Sequence, residues 1–268
     1  MTLSRRGGLR TSSPTGSGKE SRMENESVIE LEHVDAGYPG VTILQDVSFA
    51  VNRGEIFVLL GGSGCGKSTI MRHMIGLNPV QGGTLRVLGM EMNRRNRDRI
   101  LRRIGVMYQS GALFGNMTCL QNVLLPLEEF SKLRRSARME KARSLLAQVG
   151  LADAENKMPS EISGGMKKRV AIARALALDP EIIFLDEPSA GLDPITSSAL
   201  DDLILQIRKD RDTTFVVVTH ELPSIFKIAD RCAMFDKARK GMIAIGTPSG
   251  LRDSSDDNFV HAFFSRGG

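Results

Sequence analysis

The sequence has 268 residues, which is long enough for a full α/β core with a small inserted subdomain. Its apolar share of 41% and charged share of 25% are typical of an ordinary globular protein, and no stretch approaches the roughly eighteen consecutive apolar residues of a membrane span. The net charge of +5 is concentrated in residues 1–22, which carry five basic side chains against one acidic one, so it does not indicate a nucleic-acid partner. Three scattered cysteines favour free thiols in a reducing compartment.

The chain is predicted to have three parts. Residues 1–26 are rich in Gly, Ser and Thr and almost without apolar side chains, which predicts a disordered basic tail. Met23 stands just before the first strand-like run and offers an alternative translation start, which would leave residues 1–22 outside the native protein. Residues 27–250 are predicted to form a single domain, and residues 251–268 a C-terminal tail.

The domain begins with short strands predicted at residues 28–34 and 47–51, with a Gly- and Pro-containing turn at residues 36–40 between them. An apolar run follows at residues 56–60. It shows no polar alternation, which is typical of a central parallel strand that is covered on both faces.

This run leads into a glycine-rich loop that matches the pattern G-x-x-x-x-G-K-[ST]. Glycines let backbone N–H groups turn toward phosphate oxygens, and a helix that begins near Lys67 adds its positive dipole end. Lys67 would reach the β- and γ-phosphates, and the Ser68 hydroxyl would ligate Mg²⁺. A glycine-rich turn with a chance lysine is the alternative, but a strand before the loop and a helix after it are both predicted. The loop residues predicted to bind ATP are Gly61, Gly62, Ser63, Gly64, Cys65, Gly66, Lys67, Ser68 and Thr69.

Helices and strands alternate through the rest of the chain. The pattern from Gln109 to about residue 159 is helical. Further strands are predicted at residues 84–88, 104–108, 181–185, 215–218, 232–235 and 242–245, and further helices at residues 70–76, 133–149, 170–178 and 195–207. This alternation predicts a mainly parallel sheet with helices on both faces.

Polar residues end several of the apolar runs, at the sheet edge where ligands of such folds bind. Asp186 would hold Mg²⁺ through water, and Glu187 would orient or polarise an attacking water. Gln109 and His220 end two further strands. The structural alternatives are a helix cap for the two acids and a packing role for the histidine.

A second candidate anion site lies at Ser163-Gly164-Gly165, at the start of a predicted helix. These residues could also be a simple N-cap. Because the chain already has a phosphate loop, a second anion site on the same chain implies a partner copy.

The ordered set of motifs resembles the ATPase subunit of ABC transporters over residues 28 to about 250. Gly61–Thr69 corresponds to Walker A, Gln109 to the Q-loop, Ser163-Gly164-Gly165 to the signature and Asp186 to the end of Walker B. Glu187 corresponds to the catalytic acid, Ser189–Asp193 to the D-loop, and His220 to the switch histidine.

The resemblance implies a P-loop NTPase fold of the ABC ATPase type. This fold has a mainly parallel core sheet, an antiparallel β subdomain and a helical subdomain inserted at about residues 110–167. It also implies ATP and Mg²⁺ as cofactors, with Gln109 as a further metal ligand and Asp193 in ATP binding. Tyr38 lies where such ATPases stack an aromatic ring on adenine. Two copies would dimerise head-to-tail and act on a polytopic permease, without nucleic acid.

Within the superfamily, the residues around Gln109, Met158-Pro159-Ser160-Glu161 and Met166 resemble the Mla-type ATPase, in which methionine stands where most relatives have glutamine. This implies phospholipid transport with an MCE-domain protein, at the cytoplasmic face of a bacterial inner membrane. Leu192 and the loop at residues 236–240 depart from that branch, and a solute-uptake ATPase for amino acids or ions is the alternative. The cluster Phe259, Val260, Phe263 and Phe264 packs on its own core or docks on a partner.

Overall fold

The computed structural model describes residues 26–265. The strands are β1 (Ser27–Tyr38), β2 (Val41–Asn52), β3 (Ile56–Gly61), β4 (Gly82–Val87), β5 (Met90–Glu91), β6 (Ile104–Met107), β7 (Ile182–Asp186), β8 (Thr214–Val218), β9 (Arg231–Asp236) and β10 (Gly241–Gly246). The helices are α1 (Lys67–Met74), α2 (Arg97–Leu101), α3 (Cys119–Phe130), α4 (Arg135–Gln148), α5 (Gly164–Ala175), α6 (Pro194–Arg211), α7 (Leu222–Ile228), α8 (Pro248–Ser254) and α9 (Asn258–Ser265). The tail predicted for residues 1–26 lies, except for Glu26, outside the described residues. Between residues 26 and 265, no helix has the length and apolar character needed to cross a membrane.

A six-stranded sheet forms the centre of the fold, in the order β10-β9-β3-β8-β7-β6. Its strands pair in parallel except for β10, which is antiparallel to β9, so the predicted mainly parallel sheet is confirmed. All six residues of β3 are buried, because its side chains alternate between two cores. Val58 and Leu60 face the helices, whereas Phe57 and Leu59 face the second sheet and α1.

The second sheet has the order β2-β1-β4-β5 and is antiparallel, as the resemblance implied. Its first two strands are longer than predicted, and the turn between them is confined to Pro39 and Gly40. Ala36 and Gly37, which the sequence placed in the turn, pair with Leu44 and Thr42. Pairing with a neighbouring strand therefore outweighs the local turn preference of glycine.

The region after β6 differs from the continuous helical pattern predicted from Gln109. Residues 109–118 form a loop, and α3 begins only at Cys119, where Thr118 and Gln121 make a capping box. Fully buried Asn122 fixes this loop, since its side chain bonds main-chain groups of Phe114, Met117 and Thr118. The Asn122 side chain thus pairs with main-chain groups of the loop that would otherwise be paired within a helix.

The predicted C-terminal tail at residues 251–268 is helical and packed on the domain as far as the structure describes it. This stretch forms most of α8 and all of α9, and Val260 and Phe264 are buried in the same core as the helices. The Phe264 ring packs edge-on against Phe226 with 5.7 Å between ring centroids. The self-packing alternative therefore holds for these two residues, whereas Phe259 remains 41% exposed.

Candidate ATP-binding site

The glycine-rich loop connects β3 to α1, as the motif predicts. Gly66 has a φ of 105°, and a Cβ there would lie 2.7 Å from Leu44 Cγ. Gly61 has a φ of 141°, and its Cβ would lie 2.3 Å from the Phe235 carbonyl oxygen. Both motif glycines are therefore required by conformation and by space.

Lys67 and Cys65 occupy the inner side of this loop. The Lys67 ammonium donates to the carbonyl oxygens of Gly61 at 2.8 Å and Gly62 at 3.1 Å, which places its charge against the loop. Cys65 is 2% exposed, and burial raises the pKa of its thiol. The thiol therefore stays protonated and weakly reactive.

The carboxylate of Asp186 ends β7 beside the start of α1. The Ser68 hydroxyl donates to Asp186 Oδ1 at 3.3 Å, so a hydroxyl and a carboxylate lie side by side. Burial raises the pKa of Asp186, although the Ser68 hydrogen bond and nearby cations oppose the shift. Hard oxygen ligands of this kind suit Mg²⁺, which is held by few protein groups together with phosphate oxygens. The residues present therefore fit the implied Mg²⁺-nucleotide.

Glu187 and His220 form a pair at the ends of β7 and β8. His220 Nδ1 lies 2.9 Å from Glu187 Oε1, whereas Glu187 Oε2 is buried without a partner among the described residues. The main chain of Glu187 has a φ of 47°, the left-handed conformation that is uncommon for residues with a side chain. An unpaired buried carboxylate oxygen and a strained main chain at one residue are typical of a functional position.

A cavity of about 810 Å³ brings most of the predicted residues together. The predicted site residues in its lining are Gly61, Gly62, Ser63, Gly64, Lys67, Ser68, Gln109, Asp186, Glu187 and His220. Cys65, Gly66 and Thr69 are buried and do not line the cavity. The sequence did not assign the remaining lining residues, which are Leu222, Pro223, Phe259, Ala262 and Phe263. The spacing of the C-terminal phenylalanines was the only signal for this part of the wall.

The signature and the D-loop do not line that cavity. Ser163 caps α5 by accepting a hydrogen bond from the Met166 amide at 3.3 Å, and Asp193 caps α6. These two helix starts touch each other, because a Cβ on Gly165 would lie 2.6 Å from Thr196 Cγ2. Signature and D-loop thus form one surface, separate from the phosphate loop of the same chain.

Tyr38 also lies outside the cavity lining. Its ring is 40% exposed, and its hydroxyl accepts a hydrogen bond from Arg72 Nη1 at 3.2 Å. The exposed ring leaves room for a stacked base, and its role in adenine binding stays a prediction.

Two cations on α5 hold the Gln109 segment, and sequence reasoning did not find them. Lys168 is 6% exposed and donates to the carbonyl oxygens of Gln109 and Glu187. Arg174 donates to the carbonyls of Gly111 and Ala112, each at 2.8 Å. In the sequence both residues look like the cations of a solvated helix face.

Residues 44–190 match the family model described as ABC transporter. The chain is 36% identical over 251 residues to the "Probable ribonucleotide transport ATP-binding protein mkl" of Mycobacterium leprae, a match that covers 92% of this chain and 72% of that protein. It is also 36% identical over 214 residues to the "Glutamate/aspartate import ATP-binding protein GltL" of Escherichia coli K12, covering 79% of this chain and 88% of that protein.

Among solved structures, a dimeric ATP-binding cassette bound to ADP and Pi in a post-hydrolysis state superposes with a TM-score of 0.73 at 27% identity. The match covers 82% of this chain and 98% of that chain. The family model, the relatives and the cavity of phosphate-loop and strand-end residues agree: this chain belongs to the ABC transporter ATP-binding family and is a transporter ATPase that uses ATP and Mg²⁺.

Proposed function

We propose that two copies of this chain bind two ATP molecules head-to-tail, each between the phosphate loop of one copy and the signature of the other. The observation that carries this proposal is the position of Ser163, Gly164 and Gly165 outside the cavity of their own chain. Ser163 opens α5, whose N-terminal amides and dipole attract phosphate. A second copy brings that helix end to the nucleotide.

Within each site the residues divide the work. Lys67 and the loop amides hold the phosphates, while Ser68, Asp186 and Gln109 face the metal position. Bound Mg²⁺ supplies positive charge that offsets the charge of the phosphates. Glu187 orients the attacking water and accepts its proton, and His220 holds the Glu187 carboxylate in place. Tyr38 stacks on adenine, and Asp193 contributes from the D-loop.

A membrane permease docks in the groove beside the Gln109 segment. Two adjoining cavities of about 460 and 440 Å³ share Pro126, Phe130 and Arg174 as lining residues. Phe114 and Phe130 are 47% and 53% exposed there, so two aromatic side chains of the groove face solvent. Arg174 fixes the loop that borders this groove, so a docked partner would contact the same loop that reaches Gln109.

The transported substrate is a phospholipid, and the partners are a polytopic permease and an MCE-domain protein at the cytoplasmic face of a bacterial inner membrane. The support is the likeness of the segments around Gln109, Met158 and Met166 to the Mla-type ATPase. The names of the relatives refer to ribonucleotide transport and to glutamate/aspartate import. Uptake of amino acids or ions is therefore the second candidate function.

The test is to tag the chain in its native cell, solubilise the membranes gently and identify by mass spectrometry what copurifies. A permease, an MCE-domain protein and phospholipid together would establish lipid transport. A permease with a soluble solute-binding protein would replace it by the uptake function. Copurification without any membrane protein would refute the transporter assignment for this chain while leaving its ATPase activity.

A matched pair of variants makes the test specific to the groove. Phe130→Glu places a charge in the apolar cleft and is expected to abolish copurification of the permease. Leu77→Glu changes an apolar side chain that is 49% exposed and lies outside both cavities of the groove, and it should leave copurification intact. Equal recovery of the permease with both variants would place the docking surface elsewhere.

A further inference from the structure

Lys168 is the buried cation of the signature helix. Its side chain enters the core side of α5 with 6% of its surface exposed, and its ammonium contacts main-chain carbonyls rather than the cavity. It donates to Gln109 and, at 3.1 Å, to Glu187. One side chain therefore joins the main chains of two motifs that are far apart in sequence.

The hydrogen bond from Lys168 is accepted by the Glu187 carbonyl, and the main chain of Glu187 has an unusual conformation. With φ at 47°, the main chain of Glu187 turns its carbonyl toward Lys168 and toward the Ala190 amide at 3.3 Å. The Glu187 amide in turn donates to the Val218 carbonyl at 2.8 Å. These bonds keep the residue in the left-handed conformation that points its carboxylate at His220, 2.9 Å away.

The bond to Gln109 ties the same ammonium to the loop that borders the docking groove. That loop is also held by Arg174, six residues further along the same helix, and by Asn122. Burial lowers the pKa of Lys168, and the carboxylates of Glu187 and Asp186 oppose this shift. A movement of the Gln109 main chain would therefore shift the Lys168 ammonium, which also donates to the Glu187 carbonyl.

We propose that Lys168 is a positioning residue for ATP hydrolysis: it holds the Glu187 main chain in its working conformation and links it to the Gln109 segment. This inference rests on the proposed role of Glu187 as the catalytic acid. The Lys168 side chain does not line the cavity, so we expect it to set the rate of the chemical step and not the affinity for ATP.

The experiment measures kcat and KM for Mg²⁺-ATP with the full chain carrying Lys168→Met. A small misplacement of a catalytic group lowers the rate by roughly 10- to 100-fold, so kcat should fall by that factor while KM stays within about twofold. Lys168→Arg, which keeps a charged donor, should recover most of the rate. Lys167→Met is the matched control, because that neighbour makes no side-chain hydrogen bond in the described structure, and its kcat should equal that of the wild type.

A double variant separates this inference from the proposed function. If Lys168 acts through Glu187, then adding Lys168→Met to Glu187→Gln causes no further loss of turnover. A further loss of tenfold or more, an unchanged kcat in Lys168→Met, or a KM that rises in step with the loss of rate would each overturn the positioning role. Should Lys168→Met not fold, Lys168→Gln, which keeps a neutral amide donor, is measured in its place. Full turnover by Glu187→Gln alone would instead refute the catalytic assignment of Glu187.

Discussion

Glu187→Gln is the substitution that tests the candidate site most directly. It keeps the shape of the side chain and adds no new demand on the main chain, whose φ is 47°. The amide oxygen can still accept a hydrogen bond from His220, which lies 2.9 Å from Oε1 in the native residue. Only the ability to take a proton from water is lost.

Glu187→Gln is expected to lower the rate of hydrolysis without lowering the stability of the chain. A positioned general base contributes about 10²- to 10⁴-fold in rate, which corresponds to roughly 2.7–5.5 kcal/mol in the activation free energy. Glu187 Oε2 is buried without a partner, and leaving a buried polar group unsatisfied costs about 1–3 kcal/mol. Replacing the carboxylate by a neutral amide reduces that desolvation cost, so the free energy of unfolding should not fall.

The assay is phosphate release by the purified chain with Mg²⁺-ATP, together with the oligomeric state in ATP and the thermal unfolding midpoint without nucleotide. Turnover should drop at least 100-fold, an ATP-bound dimer should accumulate, and the midpoint should be unchanged or higher. Glu140→Gln makes the same chemical change on the exposed face of α4 and should leave all three quantities unchanged. Hydrolysis by Glu187→Gln within threefold of the wild type, roughly 0.7 kcal/mol, would refute the assignment.

Three further predictions concern other parts of the structure. Gly165→Ala puts a Cβ 2.6 Å from Thr196 Cγ2 and should lower the free energy of unfolding, measured in urea, by about 1–3 kcal/mol. Gly164→Ala is the control and should cost less, because the nearest atom to its Cβ is 3.8 Å away. Equal losses in the two variants would contradict the contact between signature and D-loop. Arg103 and Arg53 lie 2.6 and 3.2 Å from Glu181 and hold the pKa of that carboxyl below its usual range, so Glu181→Gln should destabilise the chain at pH 7. This loss of stability should shrink as the pH falls below about 4.3, where glutamate in the unfolded chain takes up its proton, and should shrink further as the pH passes the lower pKa of the folded chain. A loss of stability that is the same at pH 3 as at pH 7 in urea titrations would refute the ion-pair account. Cys65 is 2% exposed and burial raises the pKa of its thiol, so it should react with a bulky maleimide far more slowly than in the unfolded chain. The labelled chain should not bind ATP. Full ATP binding after complete labelling would refute the placement of Cys65 in the ATP-binding loop.

The parts of the fold that the sequence predicts well are those set by local pattern. The apolar run at residues 56–60 has no polar alternation, and the structure makes it the central strand β3, buried throughout. The glycine spacing predicts the turn from β3 into α1, because Gly61 and Gly66 adopt positive φ in contact with Phe235 and Leu44. Strand-end residues meet at one edge because parallel strands share their direction.

The structure departs from the local pattern where contacts of individual side chains decide it. The loop at residues 109–118 replaces a predicted helix because buried Asn122 supplies its hydrogen bonds. The predicted C-terminal tail forms helices because Val260 and Phe264 find an apolar surface on the helical side of the core. The apolar surface that receives Val260 and Phe264 cannot be recognised from the sequence of residues 251–265 itself.

The same reasoning explains why Lys168 escapes a sequence reading and why it matters. Its partners Gln109 and Glu187 lie outside α5, so only the folded chain shows these contacts. The helix carries the signature at its N-terminal end, and its Lys168 side chain donates to the Glu187 carbonyl. In a head-to-tail dimer, that N-terminal end would lie on the ATP of the second copy. A movement of α5 caused by closure on that ATP would then reach Glu187 in the first copy through a single buried ammonium. In the proposed dimer, the two ATP sites would thereby be coupled through α5 of each copy.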